Sequence, residues 1–376
     1  MIKLQPYHLV EADTGRAYDA ETPRWCGESG ALLDLAFTPR LDVAALAERK
    51  PDLWRYRECL PIQKDESIVS LGEVLTPLLP VRLGGHPVWI KQEQLFSTGS
   101  FKDRGAAVLI SKVKELAVQR VVQDSSGNAG CAIAAYCARA GVACEIFVPA
   151  KTSAQKIEQI RAYGAEIRLI RGDREATAQA ARHAARQAAE SIYYASHCWN
   201  PFFLHGTKTF AYEVWEQLRR RAPDDVVLPA GNGTLLLGAF IGFAELLEQG
   251  LISRMPRIHA VQTARCAPVY EAFRQGKLHP VPVTAGDTAA EGIAIAEPVR
   301  GGQILAAVRQ TRGRVIVVSE EEIEKYRREM ALQGFYIEPT AAVAVAGTMQ
   351  LINADEPGDT VVTAFTGHGL KHGHAS

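Results

Sequence analysis

From about Val88 onward, short apolar runs rich in β-branched residues alternate with longer amphipathic or alanine-rich runs, a spacing that predicts βα units around a mainly parallel sheet. Strands are expected over residues 88–91, 121–123, 144–148, 167–170, 226–229, 258–262, 315–318 and 361–365, each short and apolar as buried strands are. Helices are expected between them, over 102–117, 128–140, 153–163, 175–191, 207–220, 234–249, 320–333 and 340–352. Punctuation supports these limits: Ser153 is placed to cap one helix through its hydroxyl, and Gly164 to stop it in the left-handed conformation. The fold class is therefore α/β. Residues 1–65 differ, with TPR, ERKPDLW and LPIQKDES giving turns and charge, and are expected to form an extension.

Composition narrows the class of partner. The 376 residues are 47% hydrophobic, enough for one or two cores, and 42 Lys and Arg balance 42 Asp and Glu. No overall field then draws nucleic acid or an anionic membrane, and a small-molecule partner is favoured. No run approaches a membrane-spanning length, and the start, MIKLQPYHLVEADTG, lacks a cleavable apolar core, so a cytoplasmic protein is expected. The seven cysteines are scattered and read as reduced thiols. Cys131, Cys137 and Cys144 lie in alanine-rich sequence, where thiols serve as small hydrophobes.

Four turns carry candidate chemistry. In STGSFKDRG, residues 97–105, Lys102 follows a Gly-Ser turn at the start of an apolar helix. There the positive end of the helix dipole disfavours the ammonium form, and a neutral amine is the nucleophile that aldehydes require. An isolated lysine in this position also reads as a solvated charge. DSSGNAG, residues 124–130, joins a strand to a helix; its backbone N–H groups with the Ser125 and Ser126 hydroxyls suit a carboxylate, and Asn128 suits a phenolic oxygen. Alone, it reads equally as a capped helix. PAGNGTLLLG, residues 229–238, resembles a phosphate cradle in which Gly231 and Gly233 let the backbone approach a ligand, but no Lys-Ser/Thr pair follows, so a nucleotide P-loop is not matched. TGHGLK, residues 366–371, closes the last strand, where ligands gather in open parallel sheets; Thr366 could hydrogen-bond a pyridine nitrogen without protonating it, or the segment is a terminal turn beside a His/Lys-rich tail.

Together and in order, GSFKDRG, SSGNAG, the GxKTFAYE run at 206–213, IEPTAA at 337–342 and TGHGLK resemble the threonine synthase-like, fold type II (tryptophan synthase beta-like) pyridoxal-phosphate enzymes. That resemblance implies a two-domain fold, each domain a mainly parallel twisted sheet flanked by helices. Residues 66–109 with 206–376 would form the large cofactor-binding domain, and residues 110–205 a smaller mobile domain that closes on substrate. It implies pyridoxal 5'-phosphate as cofactor, with Lys102 as its Schiff-base lysine and proton carrier. Phe101 packs beside the ring, and Asn128 meets the phenolic oxygen. Gly231, Asn232, Gly233 and Thr234 hold the phosphate, and Thr366 the pyridine nitrogen. Ser125, Ser126, Gly127, Asn128 and Ala129 clamp a small amino-acid substrate. A homodimer is the expected assembly.

The chain also departs from the pattern. Threonine synthases commonly carry threonine after the Ser/Thr-Gly-Asn turn, and an Asn-Ser-x-Asn-Pro-x-Arg stretch that holds the substrate phosphate; here those positions are Ala129, His197, Cys198 and Phe203. A phenyl ring cannot imitate a bidentate guanidinium. TAAEGIA, residues 288–294, looks more like the amino-acid dehydratases. Segments 10–18 and 25–33 resemble a zinc ribbon in which only Cys26 of the thiolates remains, so no metal is expected. The activities implied are threonine formation from phosphohomoserine or a close relative of it; a β-replacement or β-elimination of the cysteate synthase, serine/threonine dehydratase or diaminopropionate ammonia-lyase kind; or an inactive ligand-binding homologue.

Overall fold

The computed structural model describes residues 4–189, 191–354 and 357–371; the start of the chain, residue 190 of the expected fourth helix and the His-containing tail lie outside the described residues. In chain order, β1 (Tyr7–Glu11), β2 (Ala17–Tyr18) and β3 (Leu33–Phe37) are followed by β4 (Leu78–Leu83), β5 (His86–Lys91) and α1 (Lys102–Glu115). Next come β6 (Arg120–Gln123), α2 (Asn128–Ala140), β7 (Ala143–Pro149), α3 (Ala154–Ala162), β8 (Glu166–Ile170), α4 (Arg174–Gln187), β9 (Tyr193–Tyr194) and α5 (Pro201–Thr207). The remainder is α6 (Thr209–Gln217), β10 (Asp225–Pro229), α7 (Thr234–Glu248), β11 (Arg257–Thr263), α8 (Pro268–Arg274), α9 (Gly301–Gln310), β12 (Val315–Val318), α10 (Glu320–Leu332), α11 (Pro339–Asn353) and β13 (Val361–Ala364).

Two units form: Met1–Val74 with Lys102–Thr207, and Leu75–Phe101 with Lys208–Ser376. In the first unit four parallel strands run in the order β8-β7-β6-β9. Alanine-rich α2 is buried along most of its length, because methyl side chains let a helix lie close to a sheet and to its neighbours. Gly141 ends it in the left-handed region at φ +70°. Gly164 adopts φ +79° after α3, whereas Ser153, expected to cap that helix, makes no side-chain cap bond. Ser153 is exposed, so water can satisfy the first-turn N–H groups.

Residues 7–37 form a three-stranded antiparallel sheet, β2-β1-β3, within the segment expected to be an extension of turns and charge that resembles a zinc ribbon. Its loop is tied by one carboxylate, since Glu11 accepts from the Ser29 hydroxyl (2.6 Å) and N–H (3.2 Å) and from Tyr18 (3.4 Å). The Ser29 hydrogen bond foremost holds the Glu11 carboxyl below the usual range. Among the described residues no three His, Cys, Asp or Glu side chains gather as a metal site.

In the second unit six strands run β12-β11-β10-β13-β5-β4, all parallel except the edge strand β4. β10 is buried at every position, and after Asp225 its sequence is apolar throughout, as a strand covered on both faces requires. Ser319 and Glu322 form a reciprocal capping box at the start of α10. The helix expected over 207–220 is α6, and a further helix, α5, precedes it where none was expected; the two belong to different units. Gly206 allows the close approach that ends α5, since a Cβ there would lie 2.1 Å from the Arg104 carbonyl oxygen.

At the amino end of β10, Asp225 accepts from His259 Nε2 (2.9 Å), Arg257 Nε (2.7 Å) and the Gly358 N–H (2.6 Å). Burial pushes its pKa up, but the bonds from His259, Arg257 and Gly358 outweigh it and hold the carboxyl below the usual range. A carboxyl depressed on folding contributes stability above its unfolded pKa, near 4, and that contribution is lost as pH falls through the lower folded value. Asp225→Asn should therefore cost about 1–3 kcal/mol at neutral pH and flatten the acid limb of a urea-unfolding series. An acid limb identical to that of wild type would show that Asp225 does not contribute.

Candidate active site

Three segments of the second unit end at the same edge of its sheet. β10, β13 and β5 are parallel neighbours, with Val227 beside Thr363 and Ala364 beside Lys91 in register, so the turns after them emerge together. After β10, Gly231 and Gly233 lead into the 15-residue helix α7, which starts at Thr234. A Cβ on Gly231 would lie 2.8 Å from Ile293 Cα, and one on Gly233, at φ +67°, 2.4 Å from Ile304 Cδ1. Only glycine allows this backbone here. Asn232 Oδ1 is buried with no hydrogen-bond partner.

After β13, Thr366 is fully buried; its carbonyl accepts the Phe101 N–H (3.0 Å), and its hydroxyl donates to Glu338 Oε1 (2.9 Å). Ser100 bridges to Gly367 in the same strip, and its buried hydroxyl has no partner. The segment that follows β5 is thus pinned to the end of β13 one residue before Lys102.

The first unit holds the remaining candidates. Lys102 is the first residue of α1, half-buried, with Nζ 5.6 Å from the centre of the Phe203 ring. Phe203, on α5, is fully buried, and Gly105 leaves room for it: a Cβ there would sit 2.4 Å from the ring. β6 and β9 are parallel neighbours, and their ends bring Gln123 Nε2 to 3.3 Å from His197 Nδ1, while Tyr194 donates to Asp124 (2.8 Å). His197 also meets Cys198 Sγ at 3.1 Å and stands edge-on to Phe203. Burial first, then the charges of Lys102 and Arg174, push the imidazole pKa well down, so it is neutral at pH 7.

The Ser125 to Asn128 turn leaves β6 directly. Ser125 and Ala129 are buried, Ser126 and Asn128 half-buried and Gly127 exposed; the Ser125 hydroxyl accepts the Gly127 N–H at 3.3 Å. The turn closes against Gly130, where a Cβ would lie 1.8 Å from the Ser125 carbonyl oxygen. Gly130→Ala must displace that backbone and should destabilise by about 1–3 kcal/mol, read from urea unfolding; unchanged stability would mean that the turn yields freely.

Sequence reasoning singled out every one of these turns but missed three partners. Glu338 lay within the IEPTAA run and Ser100 within GSFKDRG, without a role for either; Gln123 was read only as a strand residue. Glu338 and Gln123 meet side chains distant in sequence, and Ser100 is set beside Gly367 by its backbone, none of which local spacing reveals.

A parallel sheet whose strand ends present a glycine cradle at a helix start and a buried hydroxyl marks a protein built around an anionic cofactor. The chain belongs to the pyridoxal-phosphate dependent enzyme family, which it matches over residues 69–367. It is 32% identical to the threonine synthase of Methanocaldococcus jannaschii over 95% of this chain and 91% of that one. It is 35% identical to the threonine synthase of Synechocystis sp., over 84% and 82% of the two chains. The processed form of threonine deaminase isoform 2 from Solanum lycopersicum shares the fold, with a TM-score of 0.69 over 88% of this chain and 87% of that one at 21% identity. The chain is a threonine synthase-like lyase of fold type II, and its cofactor is pyridoxal phosphate. None of the described helices is long and apolar enough to cross a membrane.

The residues present fit that cofactor. The Gly231 to Thr234 backbone at the start of α7 suits a phosphate dianion, and a half-turn of the Asn232 amide presents its NH2 where an unpartnered oxygen now stands. The unpartnered Ser100 hydroxyl and the buried Thr366 hydroxyl supply further polar atoms at the same sheet edge.

Proposed function

We propose that the enzyme performs elimination or replacement on a small amino acid, with threonine formation from phosphohomoserine, or a close relative of that reaction, as its activity. The observation that carries this is the Phe101 N–H to Thr366 carbonyl bond at 3.0 Å, which places Lys102 next in the chain to the residue held at the end of β13. In this reading Lys102 holds the cofactor and moves protons at the substrate's α and β carbons. Phe101 flanks the ring and Asn128 donates to its phenolic oxygen. Gly231, Asn232, Gly233 and Thr234 hold the phosphate, and Thr366 faces the ring nitrogen. Ser125, Ser126 and the backbone at Gly127, Asn128 and Ala129 hold the substrate carboxylate. When bound, the cofactor supplies the electron sink for a carbanion; the chain supplies orientation and proton transfer. The assembly is a homodimer in the cytoplasm.

A second reading, β-elimination or β-replacement on an unphosphorylated amino acid, is favoured by one specific feature. In the segment that by resemblance holds a substrate phosphate, Phe203 takes the arginine position and the neutral His197 the first asparagine position, and neither is a cation. One assay separates the two: phosphohomoserine, phosphoserine, serine, threonine and diaminopropionate offered in parallel, with phosphate, ammonia and keto acid measured. Turnover of phosphohomoserine alone excludes the second reading; turnover of the unphosphorylated amino acids without phosphohomoserine excludes the first.

A further inference from the structure

We infer that Glu320 is a positioning residue for the cofactor phosphate, its carboxylate clamping residues 288–295 against the Gly231 turn and so setting the backbone that receives the phosphate. The inference rests on the assignment of that phosphate to Gly231, Asn232, Gly233 and Thr234. Residues 275–300 join α8 to α9 with no strand and a single 3-10 turn, Glu291–Ile293. Residues 284–287 of that stretch are exposed, whereas Ala290, Ile293 and Ile295 are buried, so the chain turns inward within TAAEGIA. Glu320 takes hold of it there. Its Oε1 accepts from the Thr288 hydroxyl (2.7 Å) and its Oε2 from the Ala289 N–H (2.9 Å). The Thr263 hydroxyl, at the end of β11, donates to Oε1 as well (2.7 Å). One carboxylate thus ties the segment both to the sheet and to the start of α10.

The start of α10 does not need this carboxylate for itself. Ser319 and Glu322 form its capping box, and the three donors to Glu320 all lie outside the helix. Partial burial pushes the Glu320 pKa up, but the bonds from Thr263, Thr288 and Ala289, with the charge of Arg265, outweigh it and hold the carboxyl below the usual range. It is therefore ionised at pH 7, and hydrogen bonds to an ionised acceptor are the strong ones. The clamped segment meets the phosphate turn directly. A Cβ on Gly231 would lie 2.8 Å from Ile293 Cα and 2.9 Å from Ile295 Cγ1, so the two backbones touch. On its other side the segment rests against α11, where a Cβ on Gly292 would stand 2.9 Å from Thr340 Oγ1. Packed this closely, residues 288–295 cannot shift without displacing the turn. Backbone N–H groups hold an anion only when they are aimed at it, so the clamp sets the grip on the phosphate.

The test is titration of the apoenzyme with pyridoxal phosphate, followed by 31P NMR of the holoenzyme without substrate. Glu320→Ala removes all three bonds; Glu320→Gln keeps an oxygen for the two hydroxyls but sets its NH2 against the Ala289 N–H. Both variants should raise the cofactor Kd about tenfold or more, the worth of one hydrogen bond to a charged group, and both should move the 31P signal of the bound phosphate. Asp225→Asn, at the opposite ends of the strands, is the control, and should lower stability while leaving Kd and the 31P signal as in wild type. Wild-type affinity with an unmoved signal in Glu320→Ala overturns the inference. So does an equal loss of affinity in Asp225→Asn, which would trace the effect to general stability. If Glu320→Ala does not fold, Glu320→Gln decides on the same two readouts. Asn232→Ala separates the two levels. Weakened cofactor binding in Asn232→Ala with none in the Glu320 variants overturns this inference alone, and unchanged binding in Asn232→Ala overturns the phosphate assignment beneath it.

Discussion

Lys102→Ala should fold and yet lose covalent cofactor attachment, with kcat lowered by roughly 10³-fold or more, since a removed proton-transfer group alone is worth about 10²–10⁴. Lys102 is half-buried at the first position of α1, and alanine is the strongest helix former, so stability should stay within about 0.5 kcal/mol of wild type. Phe203 loses the cation 5.6 Å from the centre of its ring. The checks are the visible absorbance of the purified protein, mass after borohydride reduction, and turnover of the best amino acid in the substrate panel. Retained turnover, or a borohydride adduct on another lysine, would remove Lys102 from the chemistry.

The largest stability effect should come from Lys91→Met. Lys91 ends β5 in complete burial, where its ammonium meets Glu213 Oε2 (2.6 Å), Gln217 Oε1 (2.9 Å) and the Thr76 carbonyl. Thr76 also donates to Glu93 at 2.7 Å, so the lysine sits within a buried acidic group. Removing it leaves Glu213 as a buried charge without its cation, which typically costs about 3–5 kcal/mol. The double variant Lys91→Met with Glu213→Leu should recover most of that loss, because the pair itself contributes little beyond a well-packed apolar replacement. Urea unfolding of the two single variants and the double variant checks this; a Lys91→Met loss below about 1 kcal/mol would mean that water or another cation reaches Glu213. The consequence extends toward the site. The Lys91 carbonyl accepts the Phe365 N–H (2.9 Å), so loosening the end of β5 loosens the residue next to Thr366. Lys91→Met should therefore weaken cofactor binding as well, measured by titration of the apoenzyme.

Apolar periodicity determined much about this protein without any fold. β12 spans the expected residues 315–318 and α2 the expected 128–140, because a largely buried apolar strand and an alanine-rich helix each announce themselves through local composition. The four glycine- and hydroxyl-bearing turns were likewise visible, since such residues between a strand and a helix follow in part from local backbone demands, as at Gly233 and Gly130. The N-terminal sheet was not, because β1 and β3 are brought together across 21 intervening residues between Glu11 and Leu33 by pairing rather than by pattern. Tertiary structure alone decided which side chain the Thr366 hydroxyl meets, where Phe203 lies relative to Lys102, and that His197 is neutral. Each of these depends on burial and on partners far away in sequence: Glu338 for Thr366, α5 for α1, and Lys102 for His197. Local sequence sets which atoms can donate or accept; only the packed chain sets which of them face one another away from water.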